Sequence, residues 1–127
     1  MGKKLAVHIS AFNSDKYQEQ IAKLFPDLEI TVSKGRDRHE GTFSCDILIG
    51  FGLGLSDEIF QRNKNLKFVQ ALGTGVDGID NRPDFDRSTP VASMRGIHGP
   101  QMSELAFMVM LSLSRNFPKT LENQKNH

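Results

Sequence analysis

The spacing of apolar and polar positions changes several times along the chain, and each change marks an element. Leu5-Ala-Val-His-Ile9 is a short, mostly apolar run, the pattern of a buried strand. Asn13 or Ser14 then offers an N-cap, and Tyr17, Ile21, Leu24 and Phe25 recur at helical spacing on one face until Pro26 ends the helix. Leu28 to Val32 alternates and predicts a second strand. Lys34 to Phe43 is a charged loop containing Gly35 and Gly41. Ile47 to Gly50 is a third apolar strand, and Ser56-Asp57-Glu58 opens a short helix with its acids near the positive end of the dipole. Lys67 to Leu72 predicts a fourth strand, Gly73 to Gly78 a tight turn, and Pro90 to Ser93 a short fifth strand. Gly99-Pro100 opens a long helix that ends near Asn116, with Pro118 just beyond. Leu121 to His127 is polar, has no stop signal and reads as a frayed or cut end.

Strands that alternate with helices predict a parallel sheet covered on both faces. About five strands of this length predict an α/β fold of the flavodoxin-like, doubly wound kind, with parallel strands and helices on both faces. Residues 1–117 are expected to form the domain and 118–127 a tail. The helix from Pro100 to Arg115 is unusual. Met102, Leu105, Ala106, Val109, Met110 and Leu113 form one face, and Phe107, Met108 and Leu111 lie on the other side beside Glu104. A helix that is apolar nearly all round is expected to be buried on two sides, one of them on the sheet. The other side is expected to meet a partner, which predicts a homodimer through helix 100–115.

Composition narrows the function classes. The chain has 127 residues, enough for one compact domain with a real core. Apolar residues make up 38% and charged residues 24%, ordinary for a globular protein in water. The net charge is +1, so no global field draws the chain to nucleic acid or to an anionic membrane. Lys34, Arg36, Arg38 and His39 are interleaved with Asp37 and Glu40, the pattern of a solvated loop. No secretory segment or membrane span is visible, and the single cysteine, Cys45, forms no intramolecular disulfide, which points to the cytoplasm. His8 reads as a satisfied edge histidine, and the histidines and cysteine show no metal-ligand spacing.

Candidate chemistry concentrates in Ala71-Leu-Gly-Thr-Gly-Val-Asp-Gly-Ile-Asp80. Glycines at the carboxyl end of a strand allow consecutive N–H groups to face one concavity, which suits a small carboxylate or a phosphate. A plain strand–helix turn with Asp77 as cap fits the same residues. Gly50-Phe-Gly-Leu-Gly54 is a second glycine turn, read as a flexible segment beside a cleft. Neither turn is followed by the long helix of a dinucleotide fingerprint.

Three segments, read in order, resemble the D-isomer-specific 2-hydroxyacid dehydrogenase family. Leu66-Lys-Phe-Val-Gln-Ala-Leu-Gly-Thr-Gly-Val-Asp-Gly-Ile-Asp80 is similar to the family's stretch around "AGVD". Val91-Ala-Ser-Met-Arg-Gly-Ile-His-Gly99 is similar to its "TN" element with the asparagine replaced, and Gln101 to Leu111 to its "MAE" helix. Asp46 to Gly52 stands where the family has its third strand. The resemblance implies the substrate-binding domain of a two-domain oxidoreductase, which interconverts 2-oxo and D-2-hydroxy acids by hydride transfer with NAD or NADP. It implies that Thr74, Gly75 and Val76 meet the substrate carboxylate and that Gly50, Phe51, Gly52 and Leu53 line the substrate side of the cleft. The catalytic arginine, its acidic partner and the acid/base histidine are expected beyond this sequence, in or near a missing NAD(P)-binding domain. No catalytic residue, bound cofactor or metal is therefore expected in this chain, and Arg95, His98 and His127 match no catalytic position. The alternative is a non-enzymatic binding or regulatory module, either a corepressor-like relative of these enzymes or a flavodoxin-like domain. A phospho-receiver is disfavoured, because Gly50 ends the third strand where an aspartate would be needed.

Overall fold

The computed structural model describes residues 4–34 and 44–126. It has two compact units, Met1–Arg95 and Gly96–His127. The first contains β1 (Ala6–Ser10), α1 (Ser14–Leu24), β2 (Glu29–Ser33), β3 (Ile47–Gly50), a 3-10 turn at Gly52–Gly54, α2 (Asp57–Arg62), β4 (Phe68–Ala71) and β5 (Val91–Ala92). The second contains α3 (Gly99–Ser114) and α4 (Phe117–Lys125). Every strand pair is parallel, and the order is β2-β1-β3-β4-β5, the doubly wound flavodoxin-like order.

The period of two along each strand separates two cores. Val7 pairs with Ile47, and Ile47 with Phe68; His8 pairs with Leu48, Leu48 with Val69 and Val69 with Val91. Successive residues point to opposite faces, so these are two rows on two sides of one sheet. On one side Val7 and Ile9 pack with Ile47, Ile49 and with Tyr17 and Ile21 of α1. On the other, Leu48 and Val69 pack with Ile59 and Phe60 of α2, Ile79 and Phe85. Phe60, Ile9, Leu48, Ile59 and Ile79 are fully buried, each contributing roughly 1.5–3 kcal/mol of transfer free energy. Phe60 and Phe85 meet edge to face, 5.7 Å between centroids.

The strand starts are held by polar bonds at the end of the sheet opposite the glycine turns. Ala6 N–H donates to Asp46 Oδ2 at 3.0 Å, and Asp46 Oδ1 faces Lys67 Nζ at 2.9 Å. Cys45 N–H donates to Asn63 Oδ1 at 2.8 Å, and Asn63 Nδ2 donates to the Ile59 carbonyl at 2.9 Å. Thr89 Oγ1 donates to the Leu66 carbonyl at 3.1 Å. Apart from the exposed Lys67, these side chains are buried or nearly so, and their bonds satisfy groups that burial would otherwise leave unpaired.

Several expectations change in three dimensions. His8 is not at an edge: β1 lies between β2 and β3, and the ring is buried, with Nδ1 2.8 Å from Thr31 Oγ1 and Nε2 3.2 Å from Ser33 Oγ. Leu24 and Phe25 stay exposed, and Leu28, from the segment after Pro26, packs on the core instead. Neither Asn13 nor Ser56 makes a side-chain capping bond at its helix. Leu121 to Lys125, expected as part of a frayed or cut end, belongs to the helix Phe117–Lys125. Pro118 acts as a helix starter rather than a stop, after Asn116 reverses the chain at φ 50°. Helix α3, expected to be buried on two sides, has no buried residue. The charged loop 35–43 and His127 lie outside the described residues.

Candidate ligand site

Three loops leave the carboxyl ends of adjacent strands and enclose one cleft of about 440 Å³ within the first unit. Ala11 and Phe12 follow β1, Phe51 to Gly54 follow β3, and Gly73 to Gly75 with Asp77 follow β4. Strand order reverses between β1 and β3, so the cleft lies at the switch point where doubly wound sheets open a crevice.

The loop after β4 supplies unpaired donors. Leu72 N–H still donates to the Gly50 carbonyl at 2.9 Å, the last rung between the strands. Among the described residues, no backbone N–H from Thr74 to Gly78 donates to another protein atom. Ile79 N–H resumes with the Val76 carbonyl at 3.0 Å. A run of free donors at the end of a strand is suited to an anion. No helix follows: residues 77–81 form turns, so Asp77 caps nothing. Its carboxylate folds back instead, with Oδ2 2.8 Å from where a Cβ on Gly75 would stand. Only at Gly75, without a side chain, is there room for that carboxylate beside the free donors.

The two glycine turns are locked together. Gly52 and Gly78 meet backbone to backbone, and Gly78 adopts φ +77°, a conformation open to glycine at little cost. Arg82 holds the same junction from the side. Its guanidinium donates to the Gly78 and Leu55 carbonyls and to Asp57 Oδ1, with the Gly52 carbonyl at 3.5 Å. It stacks 4.8 Å over the Phe60 ring, and its side chain is only 14% exposed. A planar fork with several donors in fixed directions suits this bridging of carbonyls on two loops.

Of the residues expected at the site, Phe51, Gly52, Leu53, Thr74 and Gly75 line the cleft. Gly50 and Val76 do not. Gly50 is buried beneath Leu55, where a Cβ would meet Leu55 Cδ2 at 2.8 Å, and Val76 is half-buried, with its carbonyl engaged in the turn. Ala11, Phe12, Asp77 and Arg82 were not legible as site residues. For Ala11 and Phe12 the available signal was their place just after the first strand; for Arg82 nothing in the charge pattern sets it apart from Arg87. Arg95 and His98 are exposed.

No family model matches the chain. Curated relatives do. The chain is 21% identical over 108 residues to hydroxypyruvate reductase of Thermotoga maritima, covering 85% of this chain and 30% of that protein. It is 27% identical over 114 residues to erythronate-4-phosphate dehydrogenase of Shewanella sediminis, covering 87% of this chain and 30% of the relative. A solved D-isomer-specific 2-hydroxyacid dehydrogenase family protein from Aeromonas salmonicida superposes with a TM-score of 0.81 at 24% identity, over 98% of this chain and 40% of that one. The chain resembles the D-2-hydroxyacid dehydrogenases. The resemblance extends well beyond the three motifs, to the first strand and the loop after it. The chain spans about 30% of the length of these dehydrogenase and reductase relatives. No described helix is long and apolar enough to cross a membrane.

Proposed function

We propose that this chain is the substrate-binding part of an oxidoreductase that interconverts 2-oxo acids and D-2-hydroxy acids with NAD or NADP. The observation that supports it best is the run of free N–H groups from Thr74 to Gly78, beside a cleft at the carboxyl ends of β1, β3 and β4. A substrate carboxylate accepting from Thr74 and Gly75, whose free N–H groups belong to residues that line the cleft, would be fixed in orientation, and charge-assisted bonds to backbone donors are short and directional. The wall from Phe51 to Leu53 would then bound the rest of the molecule and exclude water from it.

The described residues do not fit the dinucleotide itself. The turn at Gly73–Gly78 opens no helix, and the helix after Gly52–Gly54, α2, has six residues. A pyrophosphate needs a glycine turn that runs directly into a helix N-terminus. In this reading the cofactor, together with the catalytic arginine, acid and histidine, belongs to a nucleotide-binding domain beyond these 127 residues. The remaining partner in this reading is a second copy of the chain, meeting along helix 100–115, whose apolar side chains are exposed.

Titration of the labelled chain with glyoxylate or hydroxypyruvate, followed by amide shifts, tests the carboxylate site. Weak binding with shifts centred on Thr74 and Gly75 is expected. Shifts confined to another part of the chain would overturn the assignment. Calorimetry with NADH and NADPH is expected to show no binding; a micromolar dissociation constant would mean that this chain itself holds the dinucleotide.

A further inference from the structure

The loop after β4 brings donors and an acceptor to one wall of the cleft. Thr74, Gly75 and Asp77 all line it, and their backbone N–H groups donate to no described protein atom. The Asp77 carboxylate lies against Gly75: its Oδ2 stands 2.8 Å and its Cγ 3.7 Å from where a Cβ on Gly75 would be. An aspartate beside free amides commonly folds onto them as an acceptor. Among the described residues, however, none of these N–H groups donates to the Asp77 side chain, and no cation forms an ion pair with it.

Donors and an acceptor that are adjacent, and that the loop does not use on one another, can be used together by one ligand. Such a ligand carries an anion and, on the neighbouring atom, a cationic donor. A 2-amino acid has this arrangement, because the carbon next to its carboxylate bears an ammonium. At the same place a 2-hydroxy acid has a neutral hydroxyl donor, and a 2-oxo acid has only an acceptor. Facing a carboxylate, the ammonium makes a charge-assisted bond, the hydroxyl a weaker one, and the oxo oxygen none.

We propose that Thr74, Gly75 and Asp77 bind 2-amino acids as zwitterions, with the carboxylate on the Thr74 and Gly75 N–H groups and the ammonium on the Asp77 carboxylate. The assignment rests on the reading above that a carboxylate sits at the Gly75 end of the cleft. A 2-amino acid then competes with the 2-oxo and 2-hydroxy acids of the same carbon skeleton, and Asp77 is the residue that distinguishes them by the group next to the carboxylate. Gly75 suits this arrangement, since any side chain there would displace the Asp77 carboxylate.

The test is a titration of the labelled chain at neutral pH with D-alanine, D-lactate and pyruvate, which differ only in the group next to the carboxylate, reading the amides of Thr74, Gly75 and Asp77. All of these acids are expected to shift Gly75. D-Alanine is expected to bind about threefold to fivefold more tightly than pyruvate, the factor that an exposed ion pair supplies, with D-lactate between them. Asp77→Asn, at an exposed position, is expected to stay folded, to keep the Gly75 shift with pyruvate and to bring the affinities within about twofold of one another. If pyruvate binds the parent chain as tightly as D-alanine, or if folded Asp77→Asn keeps the order unchanged, the ammonium site is overturned and the carboxylate site stands. If no acid shifts Gly75, the carboxylate site is overturned, and the ammonium site with it.

Discussion

Gly52 and Gly78, which are 26 positions apart in the chain, lie in direct backbone contact: a Cβ on Gly78 would stand 2.8 Å from the carbonyl carbon and oxygen of Gly52. A Cβ on Gly52 would stand 2.2 Å from the Asp77 carbonyl oxygen. The loops after β3 and β4 therefore reach their places in the cleft only because both positions lack a side chain. Gly52→Ala is expected to push the loops apart and to cost about 2–3 kcal/mol, measured by urea unfolding. The anion-induced shift at Gly75 should weaken with it. Unchanged stability in Gly52→Ala would show that the loops are not locked.

Arg82 joins the same loops through its side chain. Asp57, its charged partner, is 76% exposed, so the ion pair itself contributes little. The bonds from the largely buried guanidinium to the Gly78 and Leu55 carbonyls matter more, since removing them leaves acceptors unpaired. Arg82→Ala is expected to lose about 2–3 kcal/mol. Arg82→Lys is expected to recover less than half of that, because a single ammonium cannot span carbonyls on two loops. Urea midpoints of the two variants decide it: a lysine variant as stable as the parent would mean that only charge is needed.

Cys45 makes alkaline pH destabilising. Burial, then the neighbouring Asp46 carboxylate, pushes its thiol from the ordinary 9.0 up to about 12. The folded state therefore keeps the proton in a range where the unfolded chain has released it. The stability linked to this group is full below pH 9.0 and declines as pH rises from there toward about 12. Cys45→Ala is expected to flatten this decline in unfolding free energy measured across that window. The native thiol should resist alkylation at pH 8, and rapid labelling of the folded protein would contradict the buried placement.

Helix α3 exposes Phe107 at 63%, Met110 at 63% and Leu113 at 69%. Apolar surface of this extent along a sixteen-residue helix favours self-association. Sedimentation at several concentrations is expected to show a dimer, and Phe107→Asp is expected to yield folded monomers. A parent chain that is monomeric at every concentration would rule out this contact.

The strands and helices were legible because their signals are local. The apolar run over Ile47–Gly50 and the helical spacing through Tyr17 and Ile21 depend only on residues a few positions apart, and both elements appear where the pattern puts them. The glycine turns at Gly52 and Gly73–Gly75 could be placed at the cleft for the same reason, since each directly follows a strand. Pro118 misled because proline both stops one helix and starts the next, and the periodicity before it does not say which.

The chain's own pattern of apolar and polar residues determined the parallel α/β architecture, and it located the glycine turns that follow β3 and β4. Tertiary structure decided which loops touch. The approach of Gly52 to Gly78, the bridge made by Arg82, the burial of His8 against Thr31 and Ser33 and the entry of Phe12 into the cleft all depend on strand register. Register brings together residues tens of positions apart, and no short-range period in a sequence encodes a contact of that range.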